Sequence, residues 1–246
     1  MEKKQFRDLT IITLDPRKQM VIACDSLGSI GSKPKDSLSC SAETSGYFAA
    51  QVVLLELLAY RAEPQIVIDN LCVEMEFTGK EILKGIDRAL LDADLKDQCM
   101  VTGSSEENMT TVQTGIGITA IGFMDPFTRK ELKIQKGDGV FLIGEPKVGA
   151  EVLAKEEKIP MLKVVRHLSV LPDVREILPV GSKGIGYELK QLEKTNERSF
   201  QRGDALVDLD KSAGPATCVL ACASEETMKS AEKTLGITSM HLGNFY

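Results

Sequence analysis

Histidine and tryptophan are scarce in this 246-residue sequence, which has no tryptophan and only two histidines, His167 and His241. The two histidines are far apart, and neither has a cysteine or a second histidine at metal-ligand spacing. Zinc sites and histidine-based catalytic triads both need such groupings. We therefore expect neither kind of site, and we assign both histidines to the structure or the surface.

Cysteine pairs, long apolar runs and concentrated positive charge are also missing. The six cysteines form no Cys-x-x-Cys pair, and Cys24, Cys218 and Cys222 lie in apolar runs, which favours reduced thiols in the core. The first residues are polar, and no apolar run reaches membrane-spanning length. The net charge is −6 and no cationic stripe is visible, so nucleic-acid binding is not expected. These absences predict a cytoplasmic protein without membrane or nucleic-acid partners.

The apolar pattern predicts a mixed α/β protein of the α+β class. Its length suits one large unit or two modest domains, and Pro126 with its charged neighbours marks a boundary between residues 1–126 and 127–246. The first half is predicted to have strands at 9–14, 20–24, 65–73 and 112–124, a helix at 45–62 beginning near Ser45, and a helix after the capping-box spacing of Thr78 and Glu81. The second half is predicted to have strands at 140–143 and 217–222 and helical segments from 146, around 173 and 185, and from Ser224.

Glu56 is the most unusual charged residue, because it interrupts an apolar run from Val52 to Tyr60. A helix that is apolar nearly all round is expected to be buried, and burying an unpaired carboxylate is very costly. No Lys or Arg lies three or four residues away on the same helix. A metal ion or a distant cation would compensate the charge. The alternative, about equally favoured by the pattern, is that Glu56 lies on the one solvated edge of the helix.

A loop rich in glycine and serine follows Asp25, which ends the second predicted strand. Strand ends in α/β proteins often present ligand-binding groups. Asp25 would hold Mg²⁺ while Lys33 and Lys35 face phosphate oxygens, since Mg²⁺ takes a few carboxylates together with phosphate and water. The alternative is an ordinary turn in which Asp36 is simply solvated.

Two further acidic positions occur in the first half. Asp69 interrupts the predicted strand 65–73 and would lie near the same core edge as Glu56, unless it faces outward. Glu106, Glu107 and Asn108 form a polar group just before the long strand, a pattern that is also typical of a plain loop. Four acidic positions thus flank the predicted core of the first half.

Familiar nucleotide-binding motifs are absent. The segment from Gly28 to Lys33 has the wrong spacing for a Walker A loop. Gly115-Ile-Gly-Ile-Thr-Ala120 imitates a dinucleotide fingerprint, but it lies inside a strand-like run and opens no helix. Lys183-Gly-Ile-Gly186 would place backbone amides near an anion, although a plain loop-to-helix junction is favoured.

Four segments follow one another in an order that is more specific than any single motif. They are Val21-Ile-Ala-Cys-Asp25-Ser-Leu-Gly-Ser-Ile-Gly-Ser-Lys33, Leu55-Glu56-Leu-Leu-Ala-Tyr-Arg-Ala62-Glu-Pro64, the acidic loop from Gly103 to Met109, and Gly137-Asp138 with the apolar run to Gly144. In this order they resemble the superfamily of aminoimidazole ribonucleotide synthase, thiamine-monophosphate kinase and selenophosphate synthetase. The second segment is similar to the superfamily's Ser-Asp-Leu-x-Ala-Met-Gly-Ala-x-Pro helix.

Three positions depart from the superfamily's pattern. Glu56 stands where it has Asp, Arg61 where it usually has Gly, and Ser104 where a second Gly is expected. The second half lacks a clear Gly-Gly-Gly motif, of which Val180 to Gly186 resembles a remnant. The Cys-Asp-Ser loop, the Ala-Glu-Pro helix end and the segment from Ala213 to Leu220 are most similar to α-ribazole kinases.

The resemblance implies an aminoimidazole ribonucleotide synthase-like fold of two domains. The N-terminal domain, residues 1–126, would bind ATP and Mg²⁺ and pair with a second copy in a homodimer, and residues 127–246 would form a smaller α/β domain. The implied activity is transfer of the γ-phosphoryl group of ATP to a small riboside-like molecule, at the ribosyl 5′-hydroxyl of α-ribazole, in assembly of the cobalamin nucleotide loop. The implied roles are catalytic for Asp25, Lys33 and Asp69, nucleotide-binding for Gly28, Gly31, Ser32, Lys33 and Asn108, and metal-binding for Asp25, Glu56, Glu106 and Glu107.

Two alternatives remain open on the sequence. Another enzyme of the superfamily, such as a thiamine-phosphate kinase or an aminoimidazole ribonucleotide synthase-like ligase, would share the ATP site and differ in its acceptor. A noncatalytic binding or regulatory homologue is suggested by the departures at Glu56, Arg61 and Ser104. It would lack Mg²⁺-dependent ATP turnover.

Overall fold

The computed structural model describes residues 1–130, 132–154 and 159–246. The chain forms two compact units, each with its own sheet and helices, so the predicted mixed α/β class is confirmed. The functions predicted for residues 1–126 and 127–246 stay predictions. The first unit comprises Met1–Leu58 and Ala62–Met124, and the second comprises Ala59–Arg61 and Asp125–Tyr246.

The first unit is built on a six-stranded sheet. Its elements are β1 (Lys3–Phe6), β2 (Leu9–Asp15), β3 (Lys18–Gly28), the short pair β4 (Ile30–Gly31) and β5 (Leu38–Ser39), α1 (Ala42–Ala59), β6 (Glu63–Leu71), α2 (Lys80–Asp92), β7 (Met100–Ser105) and β8 (Gly115–Met124). The strand order is β1-β2-β3-β8-β6-β7, and every neighbouring pair is antiparallel except β6 and β7. The strands predicted at 9–14 and 20–24, the two helices and the long strand are confirmed, and the end of β7 forms where a loop was predicted from Gly103.

The two faces of this sheet differ in burial. Along β8 the side chains of Ile116, Ile118 and Ala120 are buried, and the residues between them are partly exposed. This period of two is the pattern of a strand with one covered face. A Cβ atom built on Gly122 would lie 3.3 Å from Leu57 Cδ1, so α1 packs on the covered face. We call this face the inner face and the opposite one the outer face.

Helices α1 and α2 contact each other through glycines. A Cβ on Gly85 would lie 2.0 Å from the carbonyl oxygen of Glu43, and a Cβ on Gly46 would lie 2.1 Å from that of Ile82. Such distances mean that the two helix backbones touch. The Tyr47 hydroxyl also donates to Asp92 Oδ2 at 2.9 Å.

Two predicted helix starts are wrong in detail. Helix α1 begins at Ala42, with Ser41 Oγ accepting from the Thr44 N–H, while Ser45 Oγ donates to the Ile30 carbonyl. The capping box at the start of α2 does not form, because the Thr78 hydroxyl donates to Glu74. Ile30, 15 residues before Ser45, thus takes that side chain away from its local role, and Glu74, four residues before Thr78, does the same there.

The second unit contains a five-stranded antiparallel sheet in the order β10-β12-β9-β13-β11. Strand β12 is buried along its whole length and β9 at all but its last residue, at the two positions where the sequence predicted strands. Ser224 caps α6, as predicted, by accepting from the Thr227 N–H. The elements are α3 (Pro126–Lys130), β9 (Gly139–Gly144), α4 (Met161–Val170), β10 (Val174–Pro179), α5 (Gly184–Asn196), β11 (Phe200–Arg202), β12 (Cys218–Ala223), α6 (Glu225–Leu235) and β13 (Ser239–Phe245).

Two helices predicted for the second half are wrong where the structure describes them. The segment after Pro146 forms only a short 3₁₀ turn at Gly149–Leu153, and residues 155–158 lie outside the described part of the chain. Around Asp173 the structure has the start of β10, which pairs with β12 and is buried along most of its length. Pairing at the sheet edge overrides the helix propensity of its Arg, Glu and Leu residues.

Two further predictions concern the state of the cysteines and membrane-spanning segments. All six cysteines are free thiols, and burial raises the pKa of Cys218 to about 12, as expected for an inert core thiol. Cys24 is exposed on the outer face, so its predicted place in the core is wrong. Within residues 1–130, 132–154 and 159–246, no helix is long and apolar enough to cross a membrane.

Candidate functional site

Two of the predicted acidic residues face the same side of the first sheet. Asp25 on β3 and Asp69 on β6 are both in register with Ile118 on the strand between them, β8. Residues directly opposite each other across antiparallel strands point to the same face. The two backbones are therefore two strand spacings apart, about 10 Å. Both aspartates lie on the inner face, in the part of the sheet near the end of β3.

Burial makes the charged form of both carboxyl groups unfavourable. Burial raises the pKa of Asp25, although a hydrogen bond from the Ser26 backbone opposes the shift. Burial likewise raises the pKa of Asp69, which is only 3% exposed. An outward-facing position for Asp69 is thus excluded. A nearby cation would relieve the unfavourable burial of both charges.

Gly103 leaves the space that the Asp69 side chain occupies. It is the residue of β7 in register with Asp69, and a Cβ there would lie 2.4 Å from Asp69 Cγ and 2.0 Å from the Asp69 carbonyl oxygen. Real Cβ atoms do not make such contacts. Gly103, the first residue of the predicted acidic loop, therefore has a packing role beside the Asp69 carboxylate.

Lys33 is fixed by an ion pair with Glu74, a residue that the sequence analysis did not select. The Lys33 ammonium contacts Glu74 Oε2, and the Thr78 hydroxyl donates to Glu74 Oε1 at 2.5 Å. Partial burial alone would raise the pKa of Glu74, but the bonds from Lys33 and Thr78 lower it to about 2. Glu74 directly follows the predicted strand 65–73, and an acidic residue at that strand end was the available signal.

Glu107 and Glu106 hold the neighbouring loops in place. Glu107 Oε1 accepts from the Met75 N–H at 2.8 Å and from the Ser105 hydroxyl at 2.6 Å. Glu106 Oε1 accepts from the backbone N–H of Asn108 at 2.7 Å. Each of these bonds engages Oε1, so each carboxylate keeps a second oxygen for a ligand. The roles predicted for Glu106 and Glu107 as metal ligands stay predictions.

Asp36 anchors the loop after β3. Its carboxylate accepts from the Thr114 N–H, the Thr114 hydroxyl and the Lys33 N–H, at 2.7 to 2.8 Å. Burial is the largest single influence and opposes ionisation, yet the hydrogen bonds from Thr114 and Lys33 together lower the pKa of Asp36. A simply solvated Asp36 is therefore wrong. Gly31 packs in the same place, since a Cβ there would lie 2.3 Å from Thr114 Oγ1.

The loops around residues 28–40, 72–79 and 105–114 thus form one loop cluster at the end of the sheet. Gly28 ends β3 with open space beside it, Ser32 is exposed before Lys33, and Asn108 is exposed. The bonds described above join the three loops to each other. The cluster brings together the positions predicted to bind the nucleotide.

Glu56 lies on α1, the helix that packs on the inner face, and its side chain is partly exposed. Among the described residues it does not join the two aspartates in a group of three that could hold a metal ion. Its metal role stays a prediction.

In the described part of the chain, no metal site made only of protein groups is seen. Among residues 1–130, 132–154 and 159–246, no three His, Cys, Asp or Glu side chains are grouped so that they could hold a metal ion. At the start of α5, the Gly186 N–H donates to the Leu209 carbonyl at 2.8 Å. That amide is occupied, which supports the plain junction there over an anion site.

Arg61 fits the position where the resemblance expected glycine. Its φ is 63°, a left-handed conformation that glycine adopts easily and other residues rarely. The guanidinium donates to the Val174 carbonyl at 2.5 Å and to the Leu171 carbonyl at 3.4 Å. The side chain thus ties down the C-terminal end of α4, so this departure has a structural explanation.

Solved structures with a similar fold include two ThiL proteins and a PurL protein. The thiamine-monophosphate kinase from Stenotrophomonas maltophilia is 15% identical, with a TM-score of 0.66, over 97% of this chain and 86% of that one. AaThiL complexed with AMPPCP and TMP is 14% identical, with a TM-score of 0.63, over 97% and 84%. Thermotoga maritima PurL complexed with AMPPCP is 11% identical, with a TM-score of 0.67, over 96% and 41%, so this chain spans about two-fifths of it.

These likenesses concern the fold. No protein-family model and no curated protein matches the sequence. At such low identity the solved structures show that the chain has the two-domain α/β fold shared by ThiL and PurL. The fold expected from the resemblance is therefore confirmed.

Proposed function

We propose that this protein is an ATP- and Mg²⁺-dependent kinase of the aminoimidazole ribonucleotide synthase superfamily. The proposed reaction transfers the γ-phosphoryl group of ATP to the ribosyl 5′-hydroxyl of α-ribazole, giving α-ribazole 5′-phosphate and ADP, as in cobalamin nucleotide-loop assembly. The observation that carries the proposal is the placement of Asp25 and Asp69 on one face, beside the loop cluster that holds Lys33. The likeness to PurL and AaThiL, both solved in complex with AMPPCP, supports it.

The two aspartates fit Mg²⁺ better than a metal bound by protein alone. Mg²⁺ in phosphoryl-transfer sites is commonly held by one or two carboxylates together with substrate phosphates and water. Burial opposes ionisation of Asp25 and Asp69, and a cation would offset that effect. When bound, Mg²⁺ would supply charge neutralisation for the phosphate oxygens. Glu56, Glu106 and Glu107 remain proposed as further ligands.

Phosphoryl transfer depends mainly on positioning and electrostatic stabilisation, so the chain needs no covalent nucleophile. Asp25, which is half-buried, is proposed to face the ligand directly, whereas the more deeply buried Asp69 would act from the floor of the site. Lys33 would bind a phosphate oxygen after leaving Glu74. The nucleotide would be lined by Gly28, Gly31, Ser32 and Asn108.

Thiamine monophosphate is the second candidate acceptor, because two of the similar solved structures are ThiL proteins. A PurL-like ligase would use the same ATP site with a different acceptor. The noncatalytic alternative rests on the departures at Glu56, Arg61 and Ser104, and Arg61 has the structural role described above.

Thermal unfolding with MgATP, followed by ADP release with each acceptor, tests the proposal. A ligand at 100 times its dissociation constant stabilises a protein by about 2.7 kcal/mol, so we expect MgATP to raise Tm by several degrees. ADP release should depend on α-ribazole and be much slower with thiamine monophosphate. The reverse preference would make the second candidate correct, and no stabilisation by MgATP would refute the kinase proposal.

The outer face of the first sheet supports the proposed homodimer. Its central positions are apolar, uncharged and only partly buried, which is unusual for a face that meets solvent. A flat apolar face is complementary to a second copy of itself about a two-fold axis. The residues are Ile12, Met20, Ile22, Ile66, Ile68, Ile121 and Phe123.

Replacing Ile121 by aspartate is expected to convert the dimer to a monomer, because pairing would bury an uncompensated charge. Light scattering should give twice the chain mass for the unmodified protein and the chain mass for Ile121→Asp. The control is Leu206→Asp, which changes a residue that is 93% exposed in the second unit and should leave the mass unchanged. A fully active monomeric wild type would contradict the homodimer.

A further inference from the structure

Phe77 is an exposed aromatic residue in an unusual backbone conformation. It lies in the irregular turn Met75–Gly79 that leads into α2, and it is 85% exposed. Its φ and ψ are 72° and −70°. This pair is close to the γ-turn with positive φ, which is rare and strained. For a bulky residue, a positive φ is a genuine outlier.

Contacts on both sides of Phe77 impose this conformation. Glu74 is held by Lys33 and by the Thr78 hydroxyl, and its carbonyl accepts from the Gly79 N–H at 2.9 Å. The Met75 N–H is held by Glu107. A strained residue persists only where its surroundings over-determine it, and such residues cluster at ligand sites.

The position of Phe77 relates it to the proposed phosphate site. Phe77 is three residues from Glu74, the partner of Lys33, and three residues of extended chain span at most about 10 Å. Phe77 and Lys33 therefore belong to the same loop cluster, and Glu74 links them. The turn therefore presents an exposed aromatic ring in the loop cluster that holds Lys33.

We propose that the planar nitrogen heteroaromatic ring of the acceptor stacks on Phe77. This proposal rests on the function proposed above and specifies its acceptor as a riboside with an aromatic base. The acceptor hydroxyl adjoins the γ-phosphate, and its base is one ribosyl group away. The adenine of ATP is separated from the γ-phosphate by two further phosphates and a ribose, so the acceptor base is the nearer of the two bases to Lys33.

Substitution of Phe77 tests the proposal through the Michaelis constants of the two substrates. A base stacked on an aromatic side chain is worth roughly a 5- to 150-fold difference in affinity. We expect Phe77→Ala to raise the KM for α-ribazole at least tenfold and to leave the KM for ATP within twofold. Phe77→Tyr and Phe77→Trp keep an aromatic ring and should retain the low KM. An unchanged KM for α-ribazole in Phe77→Ala would overturn the proposal.

Stability measurements distinguish ligand stacking from a structural role. Because Phe77 is exposed and strained, Phe77→Gly should keep or raise Tm while losing acceptor affinity. A fall in Tm together with a rise in both Michaelis constants would indicate a structural role and overturn the proposal. The matched control is Phe127→Ala, at a phenylalanine that is 47% exposed in the second unit, and it should change neither KM.

Direct binding of 5,6-dimethylbenzimidazole separates this proposal from the kinase proposal. Calorimetry should detect the free base with the wild-type protein and show at least tenfold weaker binding with Phe77→Ala. That result would support stacking even if MgATP failed to stabilise the wild type, an outcome that refutes the kinase proposal alone. Equal binding of the base by both proteins would overturn the stacking proposal, whatever MgATP does.

Discussion

Replacing Asp25 by asparagine is expected to lower the turnover number by about 10²- to 10³-fold, which is the effect of removing one preorganised electrostatic group from an active site. Asparagine has nearly the same shape but no charge to offer a metal ion. The fold should survive. Burial raises the pKa of Asp25, so ionisation in the folded state is unfavourable, and the neutral side chain should keep or slightly raise stability at pH 7.

Two measurements check this prediction together. Single-turnover ADP formation reports the chemical step, and urea unfolding at pH 7 reports stability. The matched control is Asp8→Asn, the same change at an exposed position between β1 and β2, and it should alter neither. Turnover above half of the wild-type value in Asp25→Asn would remove Asp25 from the mechanism.

The raised pKa of Asp25 also predicts how kcat/KM depends on pH. An ordinary aspartate has a pKa near 3.8, and that of Asp25 is higher. If catalysis needs the ionised form, kcat/KM of the wild type should fall as the pH decreases through this raised value. The acid limb should therefore lie above pH 3.8.

Replacing Gly85 by alanine is expected to destabilise the first unit by about 3 kcal/mol, at the upper end of overpacking effects. Alanine is the better helix former by about 1 kcal/mol, so propensity alone predicts the opposite sign. The added Cβ would lie 2.0 Å from the Glu43 carbonyl oxygen and 2.6 Å from the Tyr47 nitrogen. These atoms belong to the backbone of α1 and cannot move aside without shifting the helix.

Thermal unfolding measures the loss of stability in Gly85→Ala. Substitution of a second helical glycine, Gly186, serves as the control. A loss of about 3 kcal/mol lowers Tm by roughly 10 °C in a protein of this size. Gly186 lies in α5, and a Cβ there would meet nothing closer than 3.4 Å, so Gly186→Ala should be neutral or stabilising. A neutral Gly85→Ala would mean that the backbones of α1 and α2 are not in contact. Because Ser45 of α1 bonds to Ile30, displacement of α1 should also disturb the loop cluster.

The elements that sequence reasoning predicted are those with a strong local pattern. The hairpin of β2 and β3, the apolar helix α1, the periodic α2 and the long strand β8 each carry their own period of two or 3.6. Strands β7 and β10 lack such a pattern. The Gly103-Ser104 end of β7 favours a loop by composition, and it becomes a strand because β6 offers a parallel edge.

In the candidate site, too, the residues with a local sequence signal were predicted, and those defined by a distant partner were not. Asp25 and Asp69 were selected because acidic residues interrupt or end predicted strands, which is visible locally. Glu74 was not selected, because its partner Lys33 is 41 residues away. Glu56 was selected for its apolar neighbours, yet among the described residues it does not join the aspartates in a group of three that could hold a metal ion.

The sequence by itself determined the alternation of buried and exposed positions, the acidic residues at strand ends and the glycines where chains approach. Tertiary structure alone decided which strands pair, that Ile118 stands between Asp25 and Asp69, and that Lys33 meets Glu74. The physical reason is that local propensity depends on neighbouring residues, whereas strand register depends on hydrogen bonds between segments distant in sequence. A site assembled across three strands therefore exists only once that register is set.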